Sequence, residues 1–258
     1  KITFHVFTAQ SLPVTIGAYG SGANPILNGA EKITGEWNTY TGTSISHLIG
    51  TPIYEQSFDS TISQVFVDGK RMEVARKPDV GYYPINTAPT SSNSIKVGQE
   101  ADYTLKNFGF LGTKIAIRLR DWYIERRNIT GYDSATQIAT WDNSAPMKYS
   151  PSGGYGYFIS NSLPLLTKGG EWFYDSNAKK LYLWTLESGS PSSHEVEVSV
   201  YDYGIFSITP GYLKIQDLTF KNFANNAIHL VNDRAEINNV VISNGNRNCL
   251  YTETKNIA

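Results

Sequence analysis

Apolar residues in the last fifth of the chain recur every 22 positions. Ile215 aligns with Ile237, Leu218 with Val240, Phe220 with Ile242 and Ile228 with Leu250, while the polar residues between them vary. Such a period marks a stacked repeat, in which each copy buries its apolar face only against its neighbours. Within one copy the apolar positions form three alternating runs, Leu213/Ile215, Leu218/Phe220 and Ile228/Leu230, separated by turn formers such as Asp217 and Asn225. Alternation turns one face of each run inward, and so short a repeat has no room for a helical crossover in every copy. The pattern predicts three strands per coil, stacked in parallel. A further copy opens at Asn256 and Ile257. Looking backward, Val196, Val198, Phe206 and Ile208 fall in register with Leu218, Phe220, Ile228 and Leu230.

Upstream the period is lost. QVFVDGKRMEVA carries Asp68-Gly69 between alternating runs, a strong hairpin signal. KIAIRLRDWYIERRNIT alternates Ile115, Ile117 and Leu119 against Lys114, Arg118 and Arg120, a strand with one wet face. EWFYDSNAKKLYLW sets two aromatic strands around Asp175 to Ala178 and predicts a second hairpin. Residues Thr87 to Ser94 and Ser144 to Tyr157 read as surface loops. The expected organisation is N-terminal coils over 1–76, a β-rich insertion over 77–189 and repeat coils over 190–258.

The segments LKIQDLTF and AEINNVVI resemble the two strands joined by a tight Asn turn in the right-handed parallel β-helix of the pectate-lyase-like superfamily. That Asn maps onto Asn239, with Asp217 in its place one coil earlier. The likeness extends to VTIGAYGSGANPILNGA, QVFVDGKRMEVARKPD and GGEWFYDSNAKKLYLW. It implies an all-β fold, a right-handed parallel β-helix with a β-rich inserted domain, in a secreted or cell-surface protein. The implied function is that of the N-terminal part of a polysaccharide lyase or glycoside hydrolase that binds a polysaccharide or oligosaccharide along the outer β-helix face. Adhesins and tailspikes share the superfamily, so a non-catalytic glycan-binding or structural module is the alternative; fold does not fix function.

Charged residues make up 17% of the chain and the net charge is −1, which gives no electrostatic case for nucleic-acid binding. No apolar run has membrane-spanning length. The one cysteine, Cys249, aligns with Ala227 and is expected to be a small buried or half-buried residue. The four histidines are scattered and no Cys/His spacing suits zinc, so no metal site is expected; calcium held by turn oxygens stays open. A start at Lys1 inside ITFHVF reads as a processed or trimmed terminus. The coil opening at Asn256 leads to the expectation that further coils, or another chain, cover that end.

In the superfamily the groove follows the outward face of one strand stack, which maps onto AIHL. His229 and, one coil on, Tyr251 point outward there, with Ser207 one coil before. Flanking turns supply Asn225, Asn226, Arg247 and Asn248 on one side and Asp233 and Glu253 on the other. His229 suits acid/base work because its ordinary pKa lies near neutrality, or is a solvated surface residue. Asp233 and Glu253 offer a carboxylate pair of the kind glycosidases use, or are ordinary turn acids. Arg247 offers a partner for a uronate carboxylate, or faces solvent. Tyr251, Asn225, Asn226, Trp172 and Trp184 are the candidates for holding sugar, with core packing the competing use of the tryptophans. Arg118, Arg120, Arg126 and Arg127, with Asp121 and Glu125, read as a salt-bridged wet face.

Overall fold

The computed structural model describes residues 12–86, 91–110, 112–142, 145–208, 211–253 and 256–257. It is all-β: short strands in several sheets, with the α-helix Gln99–Phe108 and three 3-10 turns among the described residues. The chain divides into two compact units, residues 1–34, 60–71 and 194–258 in one and 35–59 and 72–193 in the other. This division differs from the boundaries expected at 76 and 189. Strand Tyr54–Ser57 pairs with Lys180–Trp184 and so draws residues 35–59 into the later unit. Parts of both expected surface loops, residues 87–90 and Ser144, lie outside the described residues.

In the first unit the 22-residue repeat stacks in parallel. Strand Tyr212–Lys221 pairs with Arg234–Ser243 in the register Leu213↔Ala235, Ile215↔Ile237, Leu218↔Val240 and Phe220↔Ile242. Arg234 and Ala235 in turn pair with Asn256 and Ile257. The two inward runs of one coil are the two legs of a single bent strand. Asp217 and Asn239 sit at the bends with φ of 55° and 50°. This left-handed conformation, which Asn and Asp tolerate better than most residues, makes the inward positions step by three, from Ile215 to Leu218, where a flat strand would step by two. Leu213, Ile215, Leu218, Phe220, Phe223, Ala227, Ile228 and Leu230 are all buried and form one core.

All four backward alignments differ in the structure. Val196 and Val198 do not lie under Leu218 and Phe220; that rung is held by the N-terminal strands Val14–Gly17 and Ile26–Asn28, with Ile16↔Ile215 and Leu27↔Phe220. Strand Val196–Ser199 instead lies between Ala30–Lys32 and Val65–Val67 in an antiparallel sheet. Asp68 and Gly69, both with positive φ, turn the chain from Val65–Val67 into Lys70–Arg71. Of residues 12–76, therefore, only those two short N-terminal strands join the parallel stack. Phe206 and Ile208 are also displaced, because Ile205 is the ladder partner of Ile228 and Ser207 of Leu230, an interval of 23. A one-residue slip reverses the faces, leaving Phe206 and Ile208 exposed and Ile205 inside. Gly204 lets the chain pass close to the core at the slip: a Cβ there would lie 2.6 Å from the Phe220 ring and 2.7 Å from Phe223.

The second unit holds an antiparallel sheet in the order Tyr83–Pro84, Gly156–Ser160, Lys114–Arg120, Tyr123–Asp133, Ile138–Trp141, Ser94–Lys96. As expected, Ile115, Ile117 and Leu119 are buried, and so are Trp141, Tyr157 and Ile159. The hairpin of Glu171–Asp175 and Lys180–Trp184 forms with Phe173↔Tyr182. Its turn is closed by Asp175, whose carboxylate accepts from the backbone N–H groups of Asn177 and Ala178.

Candidate functional site

Strands Ile205–Ser207, Ile228–Leu230 and Leu250–Thr252 form a three-stranded parallel ladder. Ile205, Ile228 and Leu250 share one register position on its inner side, so Phe206, His229 and Tyr251 share the outer one. Their rings make a column, with centroids 4.9 Å apart between Phe206 and His229 and 4.6 Å between His229 and Tyr251. Tyr203 extends it, 4.8 Å from Phe206 and edge-on to His229 at 5.6 Å. Such spacings follow from a ladder whose strands lie about 4.8 Å apart. Phe206 is 46% exposed, and His229 and Tyr251 are half-buried. Ser207, expected in this column, pairs with Leu230 and accepts a hydrogen bond from Asn232.

The turns at either end of the ladder hold the polar candidates. Asn225 donates to the Tyr203 hydroxyl at 3.0 Å, and the Asn225 carbonyl accepts from the backbone N–H of Arg247. Asn226 is 2% exposed. Its carboxamide accepts from Asn248 at 3.2 Å and lies 3.1 Å from His229 Nδ1. In that arrangement the Asn226 amide nitrogen donates, so Nδ1 is the acceptor and the ring proton sits on Nε2. Asn226 thus orients His229 from inside the coil, and its burial leaves little of it for a sugar. At the other end the Tyr251 hydroxyl donates to Glu253, which pushes the tyrosine pKa up; burial adds to the rise and Arg247 opposes it. Asp233 and Glu253 are both exposed. The ladder therefore gathers His229, Tyr251, Asn225, Arg247, Asp233 and Glu253 on or beside one outer face, with Asn226 beneath it.

No protein-family model and no curated protein matches the sequence. A solved structure described as "Glycoside hydrolase" superposes on 77% of the chain with a TM-score of 0.62 and 17% identity. The chain is similar in fold to a glycoside hydrolase. It spans 36% of that structure's length, and at this identity the likeness is one of fold.

The two tryptophans proposed for sugar contact lie in the other unit. Trp172 is 3% exposed, with its indole N–H donating to the Met72 carbonyl, and so is a core residue with no face open to a ligand. Trp184 is half-buried and donates to Ser188 Oγ at 3.0 Å. Trp122, at a hairpin tip, is 76% exposed. Cys249, expected to be at least half-buried, is exposed, although Ala227 one coil below is fully buried.

Sequence reasoning missed two parts of the site. Phe206 was read as interior; Gly204, just before the strand, was the residue whose missing side chain hinted at a change of path there. The second is a cavity of about 560 Å³ lined by Glu31, Ser60, Thr61, Ser63, Tyr201 and Asp202, with Val200 and Ala224. Tyr201 donates to Glu31 at 2.6 Å, which raises the tyrosine pKa. The Asp202 carbonyl accepts from the Asn225 backbone N–H at 3.2 Å, so this cavity adjoins the Asn225 end of the ladder. Among the described residues no group of three His, Cys, Asp or Glu side chains is placed to hold a metal.

Proposed function

We propose that this chain is the N-terminal part of a secreted or cell-surface polysaccharide-degrading enzyme, a lyase or glycoside hydrolase, whose glycan lies along the Phe206–His229–Tyr251 face. The stacked coils are read as the opening turns of a right-handed parallel β-helix, the hand that parallel crossovers overwhelmingly take. The observation that carries the proposal is the ring column: three ladder-spaced rings, outward-facing, with Asn225, Arg247, Asp233 and Glu253 along its edges. Aromatic rings stack against the C–H face of a pyranose while edge amides and carboxylates bind its hydroxyls. For chemistry the reading assigns His229 to proton exchange, Arg247 to pairing with a uronate carboxylate, and Asp233 with Glu253 to an acid/base pair.

A second reading, a non-catalytic glycan-binding or structural module, is favoured by the use already made of Glu253, which is bonded to Tyr251. One experiment separates the readings: affinity electrophoresis against neutral and acidic polysaccharides, with product analysis, for the wild type and Phe206→Ala/Tyr251→Ala. Binding that the double variant loses supports the site. New reducing ends with unsaturated products mark a lyase, and without them a hydrolase. Binding without products selects a glycan-binding module, and the absence of binding to any polysaccharide contradicts the enzyme and the glycan-binding readings and leaves a structural module.

A further inference from the structure

Four arginines lie along strands Lys114–Arg120 and Tyr123–Asp133 of the second unit, Arg127 on the side of buried Ile115 and the others on the wet face, and three of the four are spoken for. Arg118 pairs with Asp121 at 3.0 Å. Arg120 lies over the rings of Tyr149 and Tyr155, 4.6 and 5.9 Å from their centroids. Arg127 pairs with Glu125 and donates to the Ala145 carbonyl at 3.0 Å. Arg126 has no ion pair among the described residues, and neither does Lys114. Both line a cavity of about 490 Å³, together with Arg127, Asn128, Thr130, Asp142 and Ala145. That size falls in the range of small-ligand pockets, about 300–1,000 Å³.

Strand pairing builds the cavity wall. Lys114 is the ladder partner of Asn128 and Ala116 of Arg126, so alternation sends Lys114, Arg126 and Asn128 off one side of the sheet. Thr130 is the extra residue of a bulge, since Ile129 pairs with Trp141 and Gly131 with Thr140. Bulges bend a strand and re-aim its side chains. Gly131 permits this one, because a Cβ there would come within 2.6 Å of Thr140 Oγ1. On that side the unpaired Lys114 and Arg126 stand among the lining residues with the single carboxylate of Asp142. Arg127, the ladder partner of buried Ile115, leaves the sheet on the opposite side and is paired with Glu125, and neither its Nε–H nor the Glu125 Oε2 reaches solvent. Unpaired cations side by side on one wall suit an oxyanion, which makes charge-assisted hydrogen bonds with such groups.

We infer that this cavity binds an anionic group, the carboxylate or sulfate ester of an acidic glycan. The glycan part rests on the function proposed above; the anion part does not. Lys114 and Arg126 supply charge, and Asn128 and Thr130 supply hydrogen bonds to sugar hydroxyls.

The test is titration of the full chain with inorganic sulfate, an oligogalacturonate, a sulfated oligosaccharide and a neutral xylo-oligosaccharide. Binding is followed by calorimetry in the wild type, Lys114→Gln/Arg126→Gln and the paired-arginine control Arg118→Gln, and by the Arg126 Nε–H resonance in the wild type and the control. The inference expects acidic ligands to shift the Arg126 resonance and to bind less tightly as salt rises. It expects the double variant to weaken them by roughly tenfold or more, about 1.4 kcal/mol, with the control unchanged. The tighter of the two acidic oligosaccharides identifies the group. Equal affinity of the double variant and the wild type for acidic ligands, or no binding of sulfate or either acidic oligosaccharide, overturns it. Sulfate binding that the double variant loses, with no glycan bound at all, upholds the anion site and removes the glycan reading.

Discussion

Asn239 donates from its side-chain amide to the carboxylate of Asp217, 22 residues earlier, at 2.8 Å. The bond joins two left-handed bends that lie one coil apart. It recurs at other corners of the coil, where Asn244 donates to Asn222 at 2.9 Å and Asn248 to Asn226 at 3.2 Å. Asn222 and Asn226 are buried, so each coil satisfies polar corners that its neighbour would otherwise strand.

Asp217 therefore has two jobs that substitution separates. Asp217→Gly keeps the left-handed bend and loses only the bond, for a cost of about 1 kcal/mol. Asp217→Ala loses the bond and strains the bend, costing about 1–2 kcal/mol more. Chemical denaturation of the two variants measures the difference; equal stabilities would contradict the role given to the bend.

Phe220 is fully buried between coils and Val241 is 56% exposed on the next strand. Phe220→Ala is expected to cost about 3–5 kcal/mol, and Val241→Ala less than about 0.5 kcal/mol. Comparable losses in the two would show that the faces are wrongly assigned.

Glu171 is fully buried; its carboxylate accepts from the backbone N–H groups of Thr167 and Lys168, yet one oxygen has no partner. Burial pushes its pKa above the ordinary 4.5, the two backbone bonds only partly opposing this. A raised folded-state value means that its contribution is complete below pH 4.5 and is lost as pH climbs through the folded pKa. Melting temperatures across this interval should show the wild type losing ground to Glu171→Gln as pH rises. A difference that stays flat, or moves the other way, contradicts the assignment.

The repeat was legible because its interior positions recur as a set: no other arrangement puts Ile215, Leu218, Phe220 and Ile228 on the same side in every copy. The same alternation misled at Val196 and Val198, since an antiparallel strand carries the same period. At Phe206 a single extra residue reversed the faces. Asn226 read as a solvent-facing turn residue, although its recurrence as Asn248 was the sign of an internal amide ladder. Alternation gives two faces to the strand of Trp172 without saying which one is inside. The cavity at Arg126 was illegible because it depends on the pairing of Lys114 with Asn128, set by the length of a hairpin and a bulge, and on which arginines the neighbouring acids consume.

The outer ring column is tested most directly by the His229 imidazole itself. Its Cε1–H resonance, assigned by its disappearance in His229→Gln, is followed as an oligosaccharide from the best-bound polysaccharide is added. A saturable shift of His229, with the His47 and His194 signals unmoved, is the predicted result. A His229 signal that stays in place while the glycan demonstrably binds would contradict the account.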